Sequence, residues 1–330
     1  MKLLILLVLA LALTGCFTNL DTAEDADGRA NVNIAALRGP SALGMLRLMD
    51  ENDNGFTLNN YNFDLLNMPE GVPPLIIRGE VDIAAVPVNL ASILYNATGG
   101  DVQALVVSTL GVLHIVDTTG EIDSIEDLRG RTVFASAQGA TPEFVLNYIL
   151  NMNGLVPGVD VLVEFRADHT EIAAMLENGL AEIAMLPEPF ASTVLARMDN
   201  LEAVLDLTEE WNKVQPDYGL VMTAVIGRRE FVENNPEAVA TFLEEYRRSI
   251  EFVNLYTEDA ARLAVEYGII PNHTVAVQAL PRSNLVFISG DQMRQYLQGF
   301  LQVLYNAAPD SIGGSMPGEG FFFTPGEDAR

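Results

Sequence analysis

Gly79-Glu-Val-Asp-Ile-Ala-Ala-Val-Pro-Val-Asn-Leu-Ala-Ser92 is matched one hundred residues later by Gly179-Leu-Ala-Glu-Ile-Ala-Met-Leu-Pro-Glu-Pro-Phe-Ala-Ser192. Gly79, Ile83, Ala84, Pro87, Ala91 and Ser92 all recur at that offset, and Asp82 becomes Glu182. In each copy a short apolar run, Val81–Val86 or Glu182–Leu186, reads as a strand. Each leads through a proline into a helical pattern, Asn89–Tyr95 or Phe190–Met198. Earlier blocks share the offset: Ala35, Gly39 and Leu46 recur as Ala135, Gly139 and Leu146, with Ser41 replaced by Thr141. Two blocks at one offset indicate two lobes with equivalent strand–turn–helix units. Two copies of so long a period do not make a solenoid.

Outward from these blocks, strand and helix patterns alternate, which is the mark of a layered α/β protein. Val32–Leu37, Tyr61–Leu66 and Val102–Ser108 read as strands, with helices at Ser41–Asp50 and Pro73–Arg78. In the second series Arg131–Ser136 and Val161–Phe165 are strands and Pro142–Met152 is a helix. Ser124 to Asp127 has the look of a helix start, with acids in its first turn. Asp168 and Glu171 have capping-box spacing before an apolar face of Ile172, Met175 and Leu176, and Gly179 suits the C-cap. The expected class is therefore α/β, with two α/β/α lobes and a helical C-terminal tail. That tail comprises Arg228–Glu233, Pro236–Tyr256, Thr257–Tyr267, Pro271–Ala279 and Gly290–Ala307. Phe242, Tyr246, Ile250 and Val253 share one helix face. Gly313 to Arg330 is rich in Gly and Pro, and little order is expected there.

The amino terminus supplies a location. Lys2, the apolar run Leu3–Leu13 and the small residues before Cys16 make a secretory signal over residues 1–15. The run is shorter than the roughly 20 residues a membrane span needs. Leu13-Thr14-Gly15-Cys16 resembles the lipobox of bacterial lipoproteins, which implies lipidation of Cys16 and anchoring at the outer face of the cytoplasmic membrane. Residues 16–31 then read as a flexible acidic spacer. Cys16 is the only cysteine; once lipidated it leaves no thiol, which excludes disulfides, cysteine–metal sites and cysteine nucleophiles. A formal charge of −27, with Lys2 and Lys213 the only lysines, excludes a nucleic-acid surface.

Ligands of open α/β sheets bind beyond the carboxyl ends of the strands. Four such ends offer candidates: Gly39, Pro40 and Ser41; Pro87 and Asn89; Gln138, Gly139, Ala140 and Thr141; and Pro187 and Glu188. Helix N-termini present unpaired N–H groups, and Gly39 and Gly139 permit close backbone approach. The same residues serve equally well as plain caps. Glu188, held between two prolines, can accept hydrogen bonds from an amino-bearing ligand, or can be a solvated rim acid. An anion at the helix N-termini together with an amino group on Glu188 would make the ligand a zwitterion or an amino-substituted heterocycle. Arg38 is either a further partner for an anion or a plain exposed arginine at a strand end. His114, His169 and His273 are scattered, without metal-ligand spacing. No nucleophile elbow or phosphate-binding loop is present, so neither a catalytic residue nor a cofactor is expected.

From about Asn33 to Pro309 the chain resembles type II periplasmic solute-binding proteins of the sulfonate, nitrate and taurine group. That group includes the pyrimidine-precursor binders related to the NMT1/THI5 proteins. The stretches that carry the resemblance are Ala36 to Ser41, Gly79 to Ala84, Ser124 to Gly130, Gln138 to Thr141, and Leu186-Pro-Glu-Pro-Phe190. It implies a periplasmic-binding-protein-like II fold with hinge crossings near Leu113–Thr118 and Leu220–Gly227. Lobe 1 would be residues 32–115 and 223–309, lobe 2 residues 116–222, and the tail residues 310–330. It also implies capture of a small organic solute by a monomer that delivers it to an ABC permease and its ATPase. The alternatives are an enzyme on the same fold, thiamine-pyrimidine synthase-like or menaquinone-pathway-like, and a ligand-sensing receptor component. The synthases carry a cysteine-rich motif that this chain lacks.

Overall fold

The computed structural model describes residues 28–324. The signal segment, Cys16 and most of the spacer lie outside the described residues, as do residues 325–330. In chain order the first unit is β1 (Asn31–Leu37), α1 (Pro40–Leu43), α2 (Leu46–Asp53), β2 (Asn60–Leu66), α3 (Val72–Ile77), β3 (Ile83–Pro87), α4 (Val88–Ala97) and β4 (Val102–Leu110). The second is β5 (Leu113–Asp117), β6 (Thr132–Ala135), α5 (Thr141–Met152), β7 (Leu162–Phe165), α6 (His169–Glu177), β8 (Ile183–Pro187), α7 (Phe190–Leu195), β9 (Glu202–Asp206) and α8 (Leu207–Val214). The chain then returns as β10 (Val221–Arg228), α9 (Arg229–Asn234), α10 (Pro236–Leu255), α11 (Thr257–Glu266), α12 (His273–Ala279), β11 (Leu285–Ile288) and α13 (Gly290–Ala307).

Two sheets result, a six-stranded one ordered β11-β4-β10-β3-β1-β2 and a five-stranded one ordered β7-β6-β8-β5-β9. In the first, β1 is parallel to β2 and β3, while β10 is antiparallel to β3 and β4. In the second, β6 is parallel to β7 and β8, while β5 is antiparallel to β8 and β9. Matching β1 with β6, β2 with β7, β3 with β8, β10 with β5 and β4 with β9 makes the two orders the same. The repeat read from residues 79–92 is thus an architectural repeat of two lobes. Gly79 and Gly179 turn the chain into β3 and β8 with φ of 69° and 67°, a left-handed conformation that glycine adopts without strain.

Strands β10 and β5, each antiparallel to both of its neighbours, arrive straight after a crossing. The segments expected to be the crossings are therefore largely strands themselves, β5 and β10. The passages between sheets are Gly111–Val112 and residues 215–220. Gly111 has no room for a side chain, because a Cβ there would lie 2.2 Å from the Thr208 hydroxyl. Asn284 donates to its carbonyl at 3.1 Å.

Strands β3 and β10 are buried almost throughout, as strands covered on both faces must be. Phe242, Tyr246, Ile250 and Val253 of α10 pack in one core cluster with Val32, Ile34 and Ala36 of β1. The single helix expected over Ser41–Asp50 is broken into α1 and α2. At the break a Cβ on Gly44 would come within 3.0 Å of the Tyr246 hydroxyl, and Ser249 donates to the Gly44 carbonyl at 2.7 Å. Asp82 is structural: it accepts from the backbone and side-chain N–H of Asn33 at 3.0 and 3.1 Å and from Arg228 at 3.1 Å, joining β1, β3 and β10.

The tail departs from the expectation in two ways. It contributes β11 to the edge of the first sheet, so it is not wholly helical. Residues 313–324 are ordered: Phe321 is fully buried against Tyr95, and Phe323 N donates to Ala104 O at 3.0 Å. No helix among the described residues is long and apolar enough to cross a membrane.

Candidate functional site

The carboxyl ends of the parallel strands of both sheets converge on one cleft of about 340 Å³. The first lobe contributes Arg38 to Ser41 after β1, Asn67 to Pro69 after β2 and Pro87 at the end of β3. The second contributes Ser136, Ala137 and Ala140 after β6, Asp168 to Thr170 after β7, and Pro187 and Phe190 around the end of β8. Val112 and Leu113 form the floor at one crossing, and Met222 and Thr223 lie at the start of β10. The wall is largely apolar with a few polar groups, the usual character of a small-molecule site.

Of the residues expected at the ligand, Gly39, Pro40, Ser41, Pro87, Ala140 and Pro187 line this cleft. Ser41 does not offer a free donor, because its hydroxyl already donates to Leu37 O at 3.1 Å. The other expected residues lie outside the lining. Thr141 donates through its hydroxyl to Asn89 Oδ1 at 3.0 Å, and Asn89 Nδ2 donates to Gly139 O at 2.9 Å and to Ser311 O at 3.2 Å. Asn89 and Thr141 are buried and spent on each other, clasping α4 of one lobe to α5 of the other. Gln138 and Gly139 are exposed beside the cleft. The Glu143 carboxylate accepts from Gly139 N at 2.6 Å. An anion cradle at the start of α5 is therefore already filled by the protein's own acid.

Glu188 requires the largest correction. It is fully buried and points away from the cleft. Its Oε2 accepts from Ser192 N at 3.2 Å, and its Oε1 lies 3.1 Å from Arg282 Nε and 3.7 Å from His114 Nε2. Burial pushes the Glu188 carboxyl above the usual range, against the hydrogen bond from Ser192 and the charge of Arg282. Burial likewise pushes the His114 imidazole down, opposed by Asp206 and assisted by Arg282. Since Arg282 follows α12, this ion pair is a second tie between the lobes. Trp211 of α8 is a third, its ring 5.0 Å from Tyr148 and 5.3 Å from Phe300 of α13.

Several lining residues that the sequence did not single out sit on the second lobe's wall. Asp168 caps α6, accepting from Glu171 N at 2.8 Å, and His169 follows it directly. The His169 ring lies 4.7 Å from Phe190, and its Nδ1 is 2.6 Å from Ser136 Oγ. Burial pushes this imidazole down to about 4, with the charge of Asp168 working against it. It is neutral near pH 7 and shares one hydrogen bond with the serine hydroxyl. So weak a base is poorly matched to activating a serine at neutral pH, and the pair reads as a fixed polar patch. His169 lies just beyond the carboxyl end of β7, so its position at a strand end is the sequence signal for it. Ala137, also on the wall, holds φ at 56°, a conformation costing about 1–2 kcal/mol for an L-residue. Among the described residues no group of three or more His, Cys, Asp or Glu is placed to hold a metal.

Two α/β lobes of one strand order, joined by two crossings and enclosing a cleft, define the two-lobed periplasmic-binding-protein fold. The NMT1/THI5 like family profile matches residues 64–260, and the chain belongs to that family. Solved structures agree on the fold. An ABC transporter protein from Parabacteroides distasonis has a TM-score of 0.74 at 23% identity, covering 89% of this chain and 98% of that one. The periplasmic aliphatic sulphonate binding protein SsuA of Escherichia coli gives 0.69 at 14%, covering 90% and 92%. The periplasmic nitrate-binding protein NrtA of Synechocystis gives 0.64 at 12%, covering 86% and 84%. No curated protein matches the chain.

Proposed function

We propose that the chain is an exported solute-binding lipoprotein that captures a small organic molecule between its lobes and presents it to an ABC permease and its ATPase. The observation that carries this is the cleft of about 340 Å³ with walls from both lobes. Ligand contacts to both walls favour the closed state over the open one, which turns binding into a signal that a partner can read. Lobe 1 comprises residues 32–115 and 223–309 and lobe 2 residues 116–222, to within the strand that each crossing delivers. Gly39, Pro40, Ser41, Pro87, Ala140 and Pro187 are the ligand-facing residues retained from the sequence, joined by Arg38, His169 and Phe190. The lipobox-like Leu13-Thr14-Gly15-Cys16 supports anchoring through Cys16. The mature protein acts as a monomer without a cofactor and turns nothing over.

The test is mass spectrometry of small molecules released when the natively purified protein is denatured, followed by titration of the stripped protein. Trp211, the only tryptophan, sits between rings of the two lobes and reports closure by fluorescence. A released compound that restores the closed-state signal supports capture. A protein that releases nothing, closes on nothing and instead turns over a substrate overturns it. Anchoring is tested separately: Cys16→Ala is expected to move the protein from the membrane to the soluble fraction.

A further inference from the structure

Acids outnumber bases 45 to 18 in this chain, and the arginines are accordingly taken. Every arginine from Arg47 to Arg294 makes an ion pair with a carboxylate. Arg38 makes none among the described residues; its polar contact is Nη1 to Gly268 O at 3.4 Å. A guanidinium left free amid such an excess of acid is not short of partners; it has been kept apart from them. It lies on the cleft wall at the end of β1. With His169 neutral, Arg38 is the only cation lining the cleft among the described residues.

The other two features of the cleft bear on the rest of the ligand. His169 and Phe190 form a ring pair on the opposite wall, their centroids 4.7 Å apart. Leu113, Met222 and Ile269 continue the apolar surface. A nitrate-sized ion would leave most of a 340 Å³ cavity and this wall in water. The lining acid is Asp168, whose Oδ1 already accepts from Glu171 N, while Glu188 lies outside the lining beside Arg282.

We propose that the cleft selects a small aromatic or heteroaromatic acid, its single anionic group on the fork of Arg38 and its ring against Phe190 and His169. The proposal rests on the capture reading above. The planar guanidinium can hold either a carboxylate or a sulfonate through paired N–H donors, and lysine in its place would not. A flat ring packs against a wall of aromatic rings better than a branched aliphatic body does. Asp168 opposes the anion through its charge and selects against a second acidic group.

Calorimetry on the stripped full-length mature protein at pH 7.5 tests the assignment with benzoate, benzenesulfonate, benzamide, methanesulfonate and nitrate. Benzoate or benzenesulfonate is expected to bind, and whichever binds more tightly identifies the head group. The neutral isostere benzamide, and the two small anions, are expected to bind at least tenfold more weakly. Arg38→Met is expected to lose at least tenfold for the acid, with Arg38→Lys recovering only part. Thermal unfolding of both variants should match wild type, since Arg38 makes no ion pair. Phe190→Leu should lose several-fold, and Asp168→Asn should gain. Benzamide or nitrate binding as tightly as benzoate, or Arg38→Met binding the acid unchanged, overturns the proposal. So does the failure of both aromatic acids to bind. If a compound of another class then closes the lobes, capture stands and only the ligand class falls. If no compound closes them, both fall.

Discussion

Acidification should weaken the fold through His169, by an amount that the structure sets. Its imidazole has an ordinary value of 6.5 and is pushed down to about 4 by burial. The native state therefore favours the neutral form. The stability linked to this group is fully present above 6.5 and is lost as pH falls through the interval down to about 4. At about 1.4 kcal/mol per pH unit, the loss across that interval is at most about 3 kcal/mol. The perturbation is a pair of urea titration series, wild type and His169→Gln, at pH 7, 6, 5 and 4. Glutamine keeps an acceptor for Ser136 Oγ but does not titrate. Carboxylates titrate in both proteins, so their effect cancels in the difference. Whatever the offset between the two at pH 7, the wild type is expected to lose about 3 kcal/mol relative to the variant by pH 4. Because Asp168 works against the shift, Asp168→Asn should deepen the loss. Parallel stability curves for wild type and His169→Gln, or an imidazole seen by NMR to titrate near 6.5, would refute the account of His169 as a desolvated neutral group.

Further outcomes concern the ties between the lobes. Gly111→Ala drives a methyl into Thr208 and should cost about 1–3 kcal/mol in urea unfolding. The same change in a Thr208→Gly background should cost much less, and an equal cost in both backgrounds would show that the clash is relieved elsewhere. Asn89→Ala removes the interlobe bonds to Thr141 and Gly139; at about 0.5–1.5 kcal/mol each, ligand affinity should fall roughly tenfold by calorimetry. Glu188→Leu leaves Ser192 N–H without its acceptor and Arg282 without its acid. It should destabilise by about 2 kcal/mol, toward the low end for a buried pair because Arg282 is partly solvated. Chemical denaturation measures it.

The fold was legible where local pattern and burial coincide. β3 and β8 are apolar runs bounded by Gly and Pro, and α10 carries its apolar stripe at helical spacing. β11 was not legible, because Leu285–Ile288 is four residues long and becomes a strand only by pairing with β4, far away in the chain. β9 and α8 were missed for a similar reason. Glu202–Asp206 is flanked by acids, and β5 is what makes it a strand. At the site, six of the eleven strand-end candidates line the cleft. The strand-end rule could not orient side chains: Pro187 faces the cleft, while Glu188, in the turn just after β8, faces Arg282 and His114. Nor could it show that Asn89 and Thr141 would satisfy each other. Nor does the sequence set Arg38 apart from the arginines Arg47 to Arg294, which the fold pairs with carboxylates.

The exchange of strands at the crossings also dictates an order of assembly. All strands of the five-stranded sheet lie in the continuous run from Leu113 to Asp206. That sheet can close as soon as its own segment is available. The six-stranded sheet cannot, because β3 must pair with β10 about 140 residues later in the chain. A chain emerging amino terminus first thus holds β1 to β4 with an open edge at β3 while the second lobe condenses. The cleft forms last, when β10 arrives and closes the first sheet, so a chain truncated before Val221 retains one lobe and no binding site.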